Sequence, residues 1–295
     1  MPKKHLSPHP VVHIKKRNGR LNIEGINLWY SYWREPYHLM LTIPWRGFLT
    51  LISLGYVALN TLFALAYSLQ KNAIANARPG NFLDVFFFSI QTMSSIGYGF
   101  LYPQTVYANV LVTIEALLGV LGVAMATGLM FARFSRPTAR VLFSRVAVII
   151  PCNGVPTLMF RAANQRRNQI LEAQLRVRLA RDEISAEGDF MRRLHDLKLI
   201  RSQTPLFTLS WTAMHQINEH SPLYGATAES LTESEAELLV SLNGLDETVA
   251  QTVHTRHTFA AKEILWNMRF VDIVKWTEEG SRYIDYRSFH EVTPL

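Results

Sequence analysis

Thr92-Met93-Ser94-Ser95-Ile96-Gly97-Tyr98-Gly99 joins a run of hydroxyl-bearing residues to two glycines at alternate positions. Glycine takes up backbone angles that other residues reach only at a cost. Glycines at such spacing let the chain aim successive main-chain carbonyls at one line. A row of carbonyl oxygens can replace the water shell of a small cation. The expected chemistry is coordination of a dehydrated cation by the carbonyls of Ser95, Ile96, Gly97 and Tyr98. Gly97 and Gly99 supply the angles, and the Ser95 hydroxyl stands at the inner end. Ile96 and Tyr98 are expected to point away and brace the loop against the preceding helix. One chain gives one wall, so four copies must surround the axis. Gly-Tyr-Gly by itself also occurs in plain turns, and its setting decides between the two.

The setting is apolar on both sides. Residues 48–69 carry no Asp, Glu, Lys or Arg, and residues 106–132 carry only Glu115. A helix needs about 20 apolar residues to cross a bilayer, so the pattern predicts spans over 45–70 and 105–134; buried helices of a soluble core are the alternative. Residues 82–94 (FLDVFFFSIQTMS) are too few to span. Between two spans and beside the glycine motif they read as a re-entrant helix. Irregular backbone at membrane depth is tolerated only where it is buried in protein or lines a polar cavity, so this loop, 95–99, predicts a pore.

The flanks agree. Arg34 and Arg46 lie before or at the start of the first span, Arg133, Arg136, Arg140 and Arg145 at or after the end of the second, and only Lys71, Arg78 and Asp84 lie between. The positive-inside rule then places both termini in the cytoplasm. It also accounts for part of the net charge of +7 without nucleic acid as partner. Residues 1–25 are basic, lack the apolar core of a signal peptide, and are expected to form a flexible cytoplasmic tail. Residues 26–42, rich in Trp and Tyr, read as a helix on the cytoplasmic membrane surface, kinked or started by Pro36, or else as an amphipathic helix packed on the soluble domain. The pore domain covers 43–136. From 141 onward, short alternating segments bounded by Gly, Pro, Asn and Asp predict an all-β sandwich, which makes 137–295 a cytoplasmic domain. Cys152 is alone, so no internal disulfide forms. His215/His220 and His254/His257 lack the companions of a metal site. There is no phosphate loop, and no cofactor or enzyme is expected.

Within the second span, Glu115 is expected behind the filter, bonded to polar groups there. Gly119 and Gly122 permit bending or close helix contact. Arg133, Arg136 and Arg140 fall at the membrane–cytoplasm junction, where clustered arginines bind anionic lipid headgroups as well as set topology.

The motif resembles the potassium-channel signature, with Ser95 where the first Thr is usual. The longer runs FFFSIQTMSSIGYG, FARFSRP, LMFRAANQRRNQILEAQLRVRL, the Ser185-Ala186-Glu187-Gly188 turn, INEHSPLYG and IDYRSFH resemble the prokaryotic inward rectifiers of the KirBac kind over nearly all the chain after residue 28. The resemblance implies a potassium-selective homotetramer in the bacterial inner membrane, with an immunoglobulin-like cytoplasmic domain. It places Val123 where strong rectifiers carry an acid that attracts polyamines or magnesium, so block there should be weak. It places Phe131 at the bundle-crossing constriction. Gln91 stands where many relatives have a filter-bracing Glu, and Phe100 where an acid is common, so the outer mouth should attract cations less. It sets Glu187 and Glu247 on a cytoplasmic vestibule and implies regulation by lipid at the arginine cluster. The sequence leaves two rivals: a non-selective or sodium-conducting channel on the same scaffold, and a membrane-anchored sensor that conducts nothing.

Overall fold

The structure is a computed structural model and describes residues 13–17, 20–24, 36–166, 168–276, 278 and 280–295. It divides into two compact units, Asn27–Arg136 and a second made of Pro137–Leu295 with Met1–Ile26.

The first unit is helical, with α1 Pro36–Thr42, α2 Trp45–Ser68, α3 Phe82–Met93 and α4 Val106–Phe134. Each start has a chemical reason. Pro44, which cannot donate a backbone hydrogen bond, precedes α2. The side chains of Asn81 and Thr105 accept the amides of Leu83 (3.0 Å) and Ala108 (3.2 Å) at the heads of α3 and α4. At about 1.5 Å per residue α2 and α4 reach roughly 36 and 43 Å, enough for a hydrocarbon layer of about 30 Å. Only 17% of the apolar window of α2 and 11% of that of α4 is buried. A soluble core helix would be mostly covered. Here Leu54, Leu62, Val120 and Met125 are exposed. Tyr67, Phe88 and Ala108 form a small buried core where α2, α3 and α4 meet. Two-residue strands β3 (Ile74–Ala75) and β4 (Tyr102–Pro103) pair in antiparallel fashion, joining the stretches outside α3. Of the surface helix expected over 26–42, α1 is the described part; residues 26–35 lie outside the described residues.

The second unit is a β sandwich. One sheet runs β10 (Gln203–Phe207), β8 (Ile170–Ile184), β12 (Glu237–Asp246), β13 (Gln251–Ala260), with β9 (Phe190–Leu197) also on β8. The other runs β11 (Ser210–Gln216), β7 (Val155–Asn164), β6 (Ala147–Cys152), β14 (Ile264–Trp266), with β5 (Val141–Phe143) on β7. Alternation along β12 explains the layering: Leu238, Val240 and Leu242 are buried while Leu239, Ser241 and Asn243 are less so. These side chains join Leu158, Phe160, Leu175, Leu179, Trp211 and Phe259 in one core.

Within the expected tail, β1 (His13–Arg17) and β2 (Arg20–Glu24) pair antiparallel from His13↔Glu24 to Arg17↔Arg20. Asn18-Gly19 between them is the dipeptide that most strongly favours a tight hairpin.

Candidate cation-coordinating site

The site begins where α3 ends. Ser94 caps the helix through its amide to the Ile90 carbonyl (3.0 Å), and Ser95 N donates to Thr92 O (3.1 Å). Ile96 N donates to the Gln91 carbonyl at 2.8 Å, which ties the next residue back to the helix. The backbone then alternates. Ser95, Gly97 and Gly99 have φ of 56°, 58° and 81°, whereas Ile96 and Tyr98 lie outside this left-handed set. Alternating hand gathers amide N–H groups on one side of a chain and therefore sets the carbonyls on the other. Over 95–99 this is the backbone pattern that a row of main-chain oxygens requires. The residue types pointed to Gly97 and Gly99. That Ser95 shares the left-handed conformation carried no signal in its type, since L-residues other than glycine pay about 1–2 kcal/mol there.

The bracing of Ile96 and Tyr98 against α3 is not completed within one chain. Within one chain Tyr98 is 76% exposed and Ile96 47%. A single protomer offers too little surface to cover them.

Behind the row lies a buried polar cluster. Tyr56, Asn60 and Tyr67 share one face of α2, because offsets of four and eleven residues return to nearly the same helix direction. Ser89 comes from α3 and Glu115 from α4; Asn60, Ser89 and Glu115 are all fully buried. The Tyr67 hydroxyl donates to Glu115 Oε2 (2.6 Å), and Ser89 Oγ is hydrogen-bonded to Glu115 Oε1. Ser89 Oγ also lies 3.0 Å from Asn60 Oδ1. Asn60 Nδ2 donates to the Tyr56 carbonyl (2.8 Å) and reaches the Met93 sulfur at 3.4 Å. The Tyr56 hydroxyl meets Ser94 Oγ at 2.5 Å. Glu115 was legible as a lone acid in an apolar span. Asn60, the single amide of α2, carried the same kind of signal and was missed.

The other residues singled out in the sequence are placed as follows. Gln91 supports the loop through its backbone carbonyl, a bond that any side chain at this position would allow. α4 runs unbroken through Gly119 and Gly122. Gly119 packs so tightly on Met93 that a Cβ would run into the Met93 carbonyl, while Gly122 has open space around it. Val123 and Phe131 are 66% and 73% exposed in one chain. Near the head of α3, Arg78 grips Asp84 in a two-pronged ion pair of 2.9 and 2.7 Å. Phe100 is exposed, and its carbonyl accepts from Asn76 Nδ2 (2.8 Å).

The arginine cluster is divided. Arg133 Nη1 donates to the Met40 carbonyl, and Nη2 to the Ile43 carbonyl at 2.6 Å. Its guanidinium lies over the rings of Trp45 (4.7 Å) and Phe48 (4.6 Å). Arg136 Nη1 donates to the Leu41 carbonyl at 3.1 Å. Arg133, expected at lipid headgroups, has one N–H of each terminal nitrogen on the unpaired carbonyls at the end of α1, which attract its cation. Arg136 keeps an exposed side chain, and Arg140, in the other unit, is exposed too.

Glu187 and Glu247 are exposed but are not brought together. Glu187 sits in the β8–β9 turn, where the Ser185 hydroxyl accepts its amide (3.2 Å) and holds its carboxyl below the usual range. Glu247 follows β12 and bonds Gln169, beyond the opposite end of β8. The fifteen residues of β8 put roughly 50 Å of extended chain between the two.

Comparison with known proteins narrows what this arrangement is. Residues 141–295 match the family described as inward rectifier potassium channel C-terminal domain, and residues 49–136 one described as ion channel. Inward rectifier potassium channel Kirbac3.1 of Paramagnetospirillum magnetotacticum is 50% identical over 280 residues, covering 95% of each chain. ATP-sensitive inward rectifier potassium channel 12 of Gallus gallus is 31% identical over 94% of this chain and 70% of its own. With a short apolar helix and a glycine-bearing loop between two helices long enough to span, and a β sandwich after them, the chain belongs to the inward rectifier potassium channel family.

Proposed function

We propose that four copies of this chain close around an axis so that the carbonyls of Ser95, Ile96, Gly97 and Tyr98 form successive rings that conduct potassium. The observation that carries this is the alternation of backbone hand at Ser95, Gly97 and Gly99. It presents oxygens without side-chain charge, which suits a cation that must be held and then released. The exposed faces of Ile96 and Tyr98 are surfaces for neighbouring copies to cover. In this reading α4 lines the inner path. Phe131 supplies four rings that close it by dewetting, and uncharged Val123 leaves magnesium and polyamines weakly held. Both termini lie in the cytoplasm of a bacterial inner membrane. Arg136 and Arg140 meet anionic headgroups, and Glu187 draws cations toward the cytoplasmic mouth.

Rubidium uptake into liposomes holding the purified protein tests this reading. Uptake should be blocked by barium and left intact by excess sodium. Sodium competing as well as potassium would establish the non-selective rival. A tetramer that folds but takes up nothing, with Phe131→Ala equally silent, would favour the non-conducting sensor.

A further inference from the structure

The buried cluster behind the carbonyl row fixes where its protons are. Asn60 Nδ2 faces the Tyr56 carbonyl at 2.8 Å, and a carbonyl only accepts. The amide orientation is thereby set, and Asn60 Oδ1 faces Ser89 Oγ at 3.0 Å. Oδ1 also only accepts, so the single hydroxyl proton of Ser89 belongs to it. Ser89 Oγ is at the same time hydrogen-bonded to Glu115 Oε1. With the serine proton already placed, that bond needs its proton from Glu115. The remaining oxygen, Oε2, accepts from the Tyr67 hydroxyl at 2.6 Å.

We infer that Glu115 is a neutral carboxylic acid and the central positioning residue of a one-way hydrogen-bond line that holds the base of the filter. The line runs from Tyr67 to Glu115, Ser89 and Asn60, then through the Asn60 amide to the Tyr56 carbonyl and the Met93 sulfur. Tyr56 in turn meets Ser94, the residue before the row begins. Three helices are thus joined around Met93 and Ser94. With the acid neutral, every buried donor and acceptor in the line has its partner. An ionised Glu115 would claim the serine proton and leave Asn60 Oδ1 buried without a donor, which is costly. The surroundings agree. Tyr67 is the titratable group facing Glu115, and no Lys, Arg or His among the described residues pairs with it.

The proton placement stands on the cluster alone; its link to conduction rests on the filter reading above. Two measurements keep them separate. Infrared difference spectra of the full-length protein in liposomes, wild type minus Glu115→Gln, should contain the carbonyl stretch of a protonated carboxyl at neutral pH. A pair of carboxylate bands there instead would overturn the inference, whatever the flux. In rubidium uptake against sodium, Glu115→Gln should stay within about twofold of wild type, because an amide can donate to Ser89 and accept from Tyr67. Glu115→Ala and Ser89→Ala should each lose about tenfold in selectivity, since each leaves a buried polar group unpaired. Glu115→Gln failing as badly as Glu115→Ala would also overturn it. A wild-type protein with no preference for potassium would defeat the filter reading and leave the infrared result to decide the proton.

Discussion

Gly119 of α4 lies directly against the main-chain carbonyl of Met93, the last residue of α3, with no room for a side chain between them. The contact sits one turn from Glu115 and at the base of the carbonyl row, so the same two helices are joined there by packing and by hydrogen bonds.

Gly119→Ala should therefore destabilise the pore. The obstructing atom is backbone and cannot swing aside, and overpacking of this kind costs about 1–3 kcal/mol. The expected outcome is a lower midpoint for thermal loss of the assembled protein in detergent. Gly122→Ala, placed where nothing lies within 4 Å, should leave that midpoint the same or raise it, because alanine favours a helix interior over glycine by about 1 kcal/mol. Equal behaviour of the two variants would show that the tight contact has no energetic weight.

At Gly97 the constraint is conformational. Its φ of 58° is in the left-handed region, yet the space around a Cβ is open. Alanine there meets no atom and still pays about 1–2 kcal/mol to hold the angle. Relaxing to a right-handed angle would turn a carbonyl out of the row. Gly97→Ala should keep the fold, read by circular dichroism and elution volume, and lose most rubidium uptake. Full uptake would mean that the row is not the conducting path.

Much of this was legible in the residues, and the reasons differ by region. The spans were visible because apolar length is a strong constraint in a bilayer, and Glu115 stood out as the lone acid within one. Alternation in ELLVSL announced β12 because one face of that strand is buried. The β1–β2 pair was overlooked because basic composition masked the Asn18-Gly19 turn signal. At Arg133 the sequence is silent on α1, because charge at the end of a span suits topology and lipid alike, and only folding brings the carbonyls of Met40 and Ile43 within its reach. The left-handed Ser95 is set by its surroundings, where the amides beside it are anchored to Thr92 and Gln91.

Arg133 links α4 to the end of α1, and its removal should loosen α1. Hydrogen bonds to a charged donor contribute about 1.5–3 kcal/mol, so Arg133→Ala should speed amide exchange over Leu39–Ile43 by about 10–150-fold. Arg133→Lys should restore little, because one ammonium nitrogen does not present the two separated donors that reach Met40 and Ile43, nor a planar group to lie over Trp45 and Phe48. Unchanged exchange in the alanine variant would show that α1 is held by other contacts.

His215 makes the β sandwich sensitive to acid. It is buried, with Nδ1 2.7 Å from the Lys198 carbonyl and Nε2 2.8 Å from Ser221 Oγ. The carbonyl can only accept, so Nδ1 carries the proton of the neutral ring and Nε2 accepts from Ser221. Burial pushes the imidazole pKa below its usual range, although the Lys198 carbonyl pulls the other way. In the unfolded chain the ring titrates near about 6.5. As pH falls below that value the unfolded state takes up the proton first, so stability drops until the lower folded pKa is passed. Above about 6.5 this contribution is fully present. Urea midpoints of the full-length protein, followed by tryptophan fluorescence, should fall more between about pH 7.5 and about pH 5.5 in wild type than in His215→Gln. Other titrating groups shift both proteins alike, so the difference isolates this ring. A wild type no more acid-sensitive than the variant would mean that His215 is protonated at little cost inside the sandwich.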